Sequence, residues 1–286
     1  MRNKILYIST ENLNFFYRLN KELNRLNIRF EILNLRVTNP IVPSIILTTS
    51  EEAPKFKNSS EKLRILPYHK EQNFYHYILK ILAAYRVGYQ DHYSELLFSI
   101  DPGTKQIGMV IFLDDFFFIS HTFYDRRDLI EFIEDIIVYF QKDNPNLMIL
   151  KFKFGRGILP QTFELTKNII ELFHIRKKMK IYLIDESKSS KMKIKDKKKR
   201  IKTKHELSAL ILSLRNGIEI NQSNFKRIYK HGKWLNSNFN VDTNKNLGES
   251  NEARFNLQEL IDKILNNEIS LSQSSEFLYE NRIEKE

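Results

Sequence analysis

The sequence predicts an α/β protein with a small α/β unit, a second unit built on a mixed sheet, and a helical tail. Short apolar runs rich in β-forming residues alternate with segments whose apolar residues recur every three or four positions. That alternation is typical of strands followed by amphipathic helices. A polar, Asn-rich stretch then separates these segments from a last amphipathic region.

Residues 1–93 are predicted to form a small, Rossmann-like α/β unit. The predicted strands are 4–9, 29–33, 44–48 and 63–66, and the predicted helices are 13–26 and 74–87. The unit has no Gly-rich phosphate loop, so a scaffold or partner-docking role is preferred. Ser9 and Thr10 nevertheless follow the first strand, where ligands often bind in such folds.

Residues 95–217 show the order β-β-β-α-β-α-β-α. The strands are predicted at 96–100, 107–113, 116–121, 147–152 and 180–184, and the helices at about 125–140, 163–173 and 204–215. Residues 218–286 are predicted to be a polar linker followed by short helices. Those helices could pack on the body of the protein or engage a partner.

The net charge of +11 is concentrated in one segment. Residues 174–204 hold 14 Lys and Arg against 3 Asp and Glu, whereas the other 255 residues hold 32 of each kind. This distribution excludes a uniformly basic surface, but it is compatible with a local anion-binding element. The lack of cysteine excludes disulfides, thiolate metal sites and a cysteine nucleophile. No apolar run approaches the ~20 residues of a membrane span, so we expect a cytoplasmic protein without a membrane partner.

Acidic residues lie at the ends of regular elements in the second unit. Asp101 ends its first strand, Asp185 and Glu186 end its fifth strand, and Glu206 lies in the first turn of its last helix. If the first strand is central, these ends converge, and a divalent cation would relieve the repulsion between the carboxylates. We therefore expect catalysis by Asp101, Glu186 and Glu206, which with Asp185 would bind Mg²⁺ or Mn²⁺ for phosphodiester hydrolysis.

Each acid also has a purely structural explanation. Asp-Pro-Gly after a strand is common turn chemistry, and residues 185–186 could be solvated at a strand exit. Thr203 and Glu206 fit a capping box, in which the glutamate would cap the helix. His205 is a further candidate at the same place.

The sequence SIDPGTKQIG at 99–108 resembles the opening of the RuvC-like branch of the RNase H-like superfamily. Within that branch, it is most similar to the YqgF (RuvX) type of Holliday-junction resolvases and ribosomal RNA precursor nucleases. Gly108, the FGRG loop at 154–157, the DES sequence at 185–187 and Glu206 match further motifs of this type in the right order. The resemblance covers residues 96–217 and implies a metal-dependent nuclease with an RNase H-like fold.

Three positions depart from the family pattern. Ser187 replaces an arginine, Glu206 replaces an aspartate, and the fourth strand lacks the glutamate of RuvC resolvases. These departures leave open a catalytically inactive RNase H-like protein that binds nucleic acid without cutting it. A phosphotransferase of the actin and sugar-kinase superfamily, which also opens with Asp-x-Gly-Thr, ranks last. It needs a Gly-Gly motif that is absent from the sequence, and a longer second half.

A basic segment at 188–204 joins two of the candidate ligands. It holds 10 Lys and Arg among 17 residues, with Asp196 as its one acid. It could be a solvated loop, but a polyanion bound there would lie beside the acidic residues. Such sequence-independent phosphate contacts suit structured RNA or branched DNA. The predicted nucleic-acid-binding residues are Lys188, Lys191, Lys193, Lys195, Lys197, Lys198, Lys199, Arg200, Lys202 and Lys204.

Overall fold

A computed structural model describes residues 5–34, 43–56, 63–141, 148–174, 176–186, 196, 200–221, 223–230 and 251–283. The chain divides into two compact units, Met1–Asp91 and His92–Glu286. Both units combine helices with a sheet, which confirms the α/β class. Within the ranges given above, no helix has the length and apolar composition needed to cross a membrane.

The first unit is built on a parallel sheet of four strands in the order β2-β1-β3-β4. Its elements are β1 (Ile5–Ile8), α1 (Leu13–Arg25), β2 (Glu31–Ile32), β3 (Ser44–Thr49), a 3₁₀ turn (Ala53–Phe56), β4 (Leu63–Tyr68) and α2 (Phe74–Arg86). Strand β3 lies inside the sheet and is buried along its whole length. Burial on both faces explains the apolar run Ile45–Leu47 in the middle of this strand.

A buried glutamate joins two loops at the carboxyl edge of this sheet. The Glu52 carboxylate accepts hydrogen bonds from Thr10 Oγ1 at 2.6 Å, the backbone N–H of Glu11 at 2.6 Å and Thr49 Oγ1 at 2.8 Å. Burial raises the pKa of Glu52, but these hydrogen bonds outweigh burial, and the net shift is downward. The carboxylate therefore stays ionised and holds the loop after β1 against the loop after β3.

The second unit is built on a mixed sheet of six strands in the order β10-β9-β8-β5-β6-β7. Its strands are β5 (Glu95–Pro102), β6 (Ile107–Leu113), β7 (Phe116–Phe123), β8 (Ile149–Gly155), β9 (Met179–Ile184) and β10 (Ile218–Ile220). Its helices are α3 (Arg126–Gln141), α4 (Leu159–Leu172), α5 (Lys204–Ser213), α6 (Phe225–Lys230), α7 (Asn251–Leu265) and α8 (Leu271–Ile283). From β5 to α5 the elements follow the predicted order. Strand β10 lies at the start of the predicted polar linker. The sequence did not predict it, because three residues are too few to give a periodic pattern.

Strand β5 lies inside the sheet, and all of its residues after Glu95 are buried. It pairs antiparallel with β6 and parallel with β8. Ser99 donates a hydrogen bond of 2.6 Å to the carbonyl of Ala209 in α5, whereas Phe98 stacks on Phe152 with ring centroids 5.1 Å apart. Alternate residues of a strand face opposite sides, so Asp101 shares the α5 face with Ser99.

The C-terminal helices pack on the body of the second unit. Their apolar residues join α5 and the sheet in one cluster, which includes Phe112, Phe117, Leu207, Leu210, Ile211, Leu257, Leu260, Ile261, Ile264 and Leu265. The side-chain amide of Asn267 donates to the carbonyl of Phe117 at 3.1 Å. Ser272 also donates to Asp115, in the β6–β7 turn. Of the two alternatives given by the sequence, the structure therefore shows the helices packed on the body of the protein.

Candidate active site

Asp101 lies at the end of the central strand, beneath the first turn of α5. Its residue surface is only 6% exposed, and its Oδ2 lies 2.8 Å from Nδ1 of His205. The neighbouring residue in β6 is Gly108, where a Cβ atom would overlap the backbone of His205 and Glu206. A glycine is therefore needed at this position for α5 to come close to the sheet.

Burial raises the pKa of Asp101, and hydrogen bonds with His205 and Ser208 offset only part of that shift. The side chain of His205 is itself 36% exposed. A buried carboxylate beside a partly exposed imidazole is a common arrangement for proton transfer.

Glu186 follows β9, and its carboxylate packs against the glycine loop at the end of β8. The backbone N–H of Gly157 donates to Oε1 of Glu186 at 2.9 Å. A Cβ atom at Gly155 or Gly157 would overlap the Glu186 carboxylate, so both glycines leave the space that it occupies. Burial, followed by the negative charge of Asp101, raises the pKa of Glu186 to about 7. Asp101 and Glu186 therefore repel each other across a partly desolvated space.

Asp185 is engaged by two arginines. Nε of Arg156 lies 3.1 Å from Oδ1 of Asp185, and Arg215 donates to the Asp185 backbone carbonyl at 2.6 Å. The ion pair with Arg156 neutralises the Asp185 carboxylate, and the hydrogen bond from Arg215 fixes the backbone at the end of β9, from which Glu186 extends.

Glu206 is 1% exposed and interacts with β7 and the start of α5. Its carboxylate accepts hydrogen bonds from Ser120 Oγ at 2.8 Å, Thr122 Oγ1 at 2.7 Å and the backbone N–H of Lys202 at 2.8 Å. Thr203 caps the same helix by accepting from the Glu206 N–H at 3.2 Å. The structure thus brings together Asp101, Glu186 and His205, and it engages Glu206 with other partners.

Helix geometry could have predicted that only one of His205 and Glu206 faces Asp101, but not which one. Consecutive residues of an α-helix point about 100° apart, so His205 and Glu206 cannot both face Asp101. Asp101 and Glu186 offer the hard oxygen donors that suit Mg²⁺ or Mn²⁺, and His205 offers a nitrogen donor. Among the residues that the structure describes, no group of three or more Asp, Glu or His side chains is arranged to hold a metal ion.

Three of the predicted nucleic-acid-binding residues lie in the described part of the chain. Lys202 and Lys204 are exposed at the start of α5. Arg200 is engaged within the protein, with its guanidinium 3.1 Å from Asp196 and 3.0 Å from Asn266. The remaining predicted nucleic-acid contacts, Lys188, Lys191, Lys193, Lys195, Lys197, Lys198 and Lys199, lie outside the described residues.

No protein-family model matches the chain, and no curated protein matches it in sequence. Among solved structures, it is similar to Aa-Ago with externally bound siRNA, at 9% identity and a TM-score of 0.22, over 64% of this chain and 35% of that chain. It is also similar to an exopolyphosphatase from Cytophaga hutchinsonii, at 10% identity and a TM-score of 0.13, over 58% of this chain and 55% of that chain.

A third similar structure is the Ppx/GppA family member of Aquifex aeolicus, at 10% identity and a TM-score of 0.13, over 80% of this chain and 81% of that chain. The chain spans 35% of the length of Aa-Ago, the first of these structures. TM-scores of 0.13 to 0.22 are too low to bear on function. The geometry of the site is therefore the basis for a functional interpretation.

Proposed function

We propose that the second unit is an RNase H-like domain that hydrolyses phosphodiesters in structured nucleic acid with the help of Mg²⁺ or Mn²⁺. The observation that carries the proposal is the convergence of the buried Asp101 carboxylate in β5 and the partly buried Glu186 carboxylate after β9, beside His205. The sheet order supports the fold assignment. An antiparallel β5-β6-β7 meander continues through the parallel strands β8 and β9, as the resemblance to RuvC-like nucleases implies.

Asp101 and Glu186 are the residues that would hold the cation. Burial, followed by the negative charge of Asp101, raises the pKa of Glu186 to about 7, and a cation held by the two carboxylates would offset their repulsion. When bound, the metal ion lowers the pKa of a water molecule and stabilises charge on the phosphate oxygens. Asp185 has a different task, because its ion pair with Arg156 positions Glu186.

His205 is suited to move a proton. When its Nδ1–H donates to Asp101, the lone pair is on Nε2, which can accept a proton from an attacking water molecule. In this arrangement Asp101 also orients the imidazole ring. The partial exposure of His205 gives a substrate access to it.

The exposed lysines near this site would bind the nucleic-acid backbone. Lys105 lies in the turn that follows Asp101, and Lys202 and Lys204 lie at the start of α5. Lysine contacts with phosphates do not depend on base sequence, so they fit a protein that recognises the shape of its substrate.

A second candidate function is nucleic-acid binding without cleavage. The observation that favours it is the environment of Glu206, whose carboxylate is fully engaged with β7 and the start of α5. In this case, the site would have lost the third carboxylate that the family resemblance implies. Salt-sensitive binding that persists in a chelator, without any cleavage, would support this candidate.

The decisive experiment is a cleavage assay on branched DNA and on structured RNA, with Mg²⁺ or Mn²⁺ or with a chelator. We expect metal-dependent cleavage by the wild type and at least a hundredfold loss in Asp101→Asn and in Glu186→Gln. Glu171→Gln is the matched control, because Glu171 is an exposed residue of α4 and its substitution should leave the rate unchanged. Equal cleavage by the wild type and Asp101→Asn would refute the proposed mechanism.

A further inference from the structure

A groove of about 530 Å³ lies at the end of β7, beside the first turns of α3. Its lining includes His121, Thr122, Tyr124 and Phe132. Ser120 and Thr122 contact Glu206 on the α5 side of the sheet, whereas His121 stacks on Phe132 of α3. The groove therefore opens at the α3 side of this sheet edge.

Part of the groove lining is aromatic. The rings of His121 and Phe132 are nearly parallel, with centroids 5.3 Å apart and 15° between their planes. The Tyr124 ring is part of the same lining, and the residue is 75% exposed. Exposed aromatic rings are the surfaces on which unpaired nucleobases stack.

The remaining wall carries carboxylates. Asp128 and Glu131 are exposed residues of α3 that also line the groove. Their three-residue spacing puts them on one face of the helix. Ionised carboxylates only accept hydrogen bonds, so this wall selects a ligand that presents donors. Arg126 and Arg127 lie in the first turn of the same helix and are exposed, and they pair with Glu164 and Asp125 at 3.7 and 3.8 Å.

The groove lies at the same end of the sheet as the candidate active site, but on the opposite face. Asp101 is opposite Gly108 in β6, and Gly108 is opposite Thr122 in β7. Because neighbouring strands are about 4.8 Å apart, the backbones of Asp101 and Thr122 are about 10 Å apart. One or two nucleotides span such a distance. A strand that passes across this end of the sheet could therefore reach both the active site on one face and the groove on the other.

We propose that this groove binds an unpaired guanine of a nucleic-acid substrate. Guanine presents two adjacent donors, N1–H and the N2 amino group, on its Watson–Crick edge, and a carboxylate can accept both. Adenine and cytosine combine a donor with an acceptor on that edge, and thymine or uracil offers a single donor between two acceptors. The aromatic wall provides stacking for any base, and Asp128 and Glu131 provide the selection. The inference rests on the proposed function for the identity of the larger substrate.

The test measures binding rather than cleavage, so that its failure can be distinguished from failure of the nuclease proposal. Three labelled hexadeoxynucleotides are titrated at low salt in a chelator, and fluorescence anisotropy is recorded. One contains six thymidines, one has a central guanine among thymidines, and one has inosine in place of that guanine. Inosine keeps N1–H but lacks the amino group. We expect the wild type to bind the guanine oligonucleotide about tenfold more tightly than the thymidine one, with inosine between them.

The variants separate stacking from selection. The double variant Asp128→Asn/Glu131→Gln should abolish the preference for guanine. The readout is the ratio of the two affinities, because removing two negative charges strengthens the binding of any DNA. Tyr124→Ala should weaken the binding of both oligonucleotides about tenfold, since base stacking is worth roughly 1–3 kcal/mol.

Glu171→Gln is the control, and it should retain the wild-type ratio. Equal affinity of the wild type for the three oligonucleotides would overturn the proposal. So would a guanine preference that survives in the double variant. If guanine is preferred but no substrate is cleaved, the groove is supported and the nuclease proposal fails on its own.

Discussion

The substitution Glu186→Gln should stabilise the protein at alkaline pH. Glu186 has a pKa of about 7 in the folded state, whereas the ordinary value is 4.5. Below pH 4.5 the group is protonated in both the folded and the unfolded state, so its ionisation costs nothing. As the pH rises through 7, the folded state must ionise a group that burial and Asp101 disfavour, and stability is lost. A difference of this size corresponds to at most about 3 kcal/mol, and partial exposure reduces it to about 2 kcal/mol.

The measurement is urea unfolding of the full chain, followed by far-UV circular dichroism at pH 5 and pH 8 in a chelator. Glutamine carries no charge at either pH, so Glu186→Gln should exceed the wild type by about 2 kcal/mol at pH 8. At pH 5 the difference should fall below about 1 kcal/mol. For a unit of this size, the stabilisation corresponds to a rise in melting temperature of roughly 5 °C.

Glu206→Gln is the matched control, because the same chemical change should have the opposite effect. The Glu206 carboxylate accepts three hydrogen bonds, and an amide nitrogen cannot replace an accepting oxygen. We expect a loss of about 1–3 kcal/mol. A destabilised Glu186→Gln at pH 8, or a difference that does not change between the two pH values, would refute the reasoning.

Three further predictions concern the glycines beside the site, the packing of α7 and the titration of Lys153. Gly157→Ala should lower cleavage with little loss of stability, because the added methyl group displaces only the Glu186 carboxylate. Gly108→Ala should instead lower the urea midpoint, because its methyl group would overlap the backbone of α5. Ile261→Ala should cost about 3 kcal/mol in urea unfolding, since the residue is fully buried in the cluster that joins α7 to the sheet. Burial lowers the pKa of Lys153 to about 8, so the folded state releases this proton before the unfolded state does. Wild-type stability should therefore rise between pH 8 and pH 9.5, by up to about 2 kcal/mol relative to Lys153→Met.

Local patterns predicted the framework of the site. Asp101 was identified because it ends an apolar strand and precedes a turn, and Glu186 because it follows another strand. The topology places both at the same sheet edge, as a central β5 requires. The glycines at 108, 155 and 157 were noticed for their order along the chain, and the structure gives each a steric reason.

Contacts between distant segments could not be read from the sequence. Thr203 and Glu206 were correctly seen as a helix start, but the carboxylate of Glu206 is engaged by hydroxyl groups of β7 that lie 84 and 86 residues away. No periodicity encodes such a pairing. The roles of His205 and Glu206 therefore depend on which side of α5 meets β5 and which meets β7, and tertiary packing decides this.

The packing of the C-terminal helices has a consequence for the order of events during synthesis. Asn267 binds the carbonyl of Phe117, 150 residues earlier in the chain, and α7 completes the apolar cluster that covers α5. While the ribosome is still translating residues near 230, the outer side of α5 remains exposed to water. The second unit therefore acquires its full cooperativity only after about residue 271 has emerged. Interrupted synthesis would leave the apolar outer side of α5 uncovered, and chaperones or proteases could recognise it.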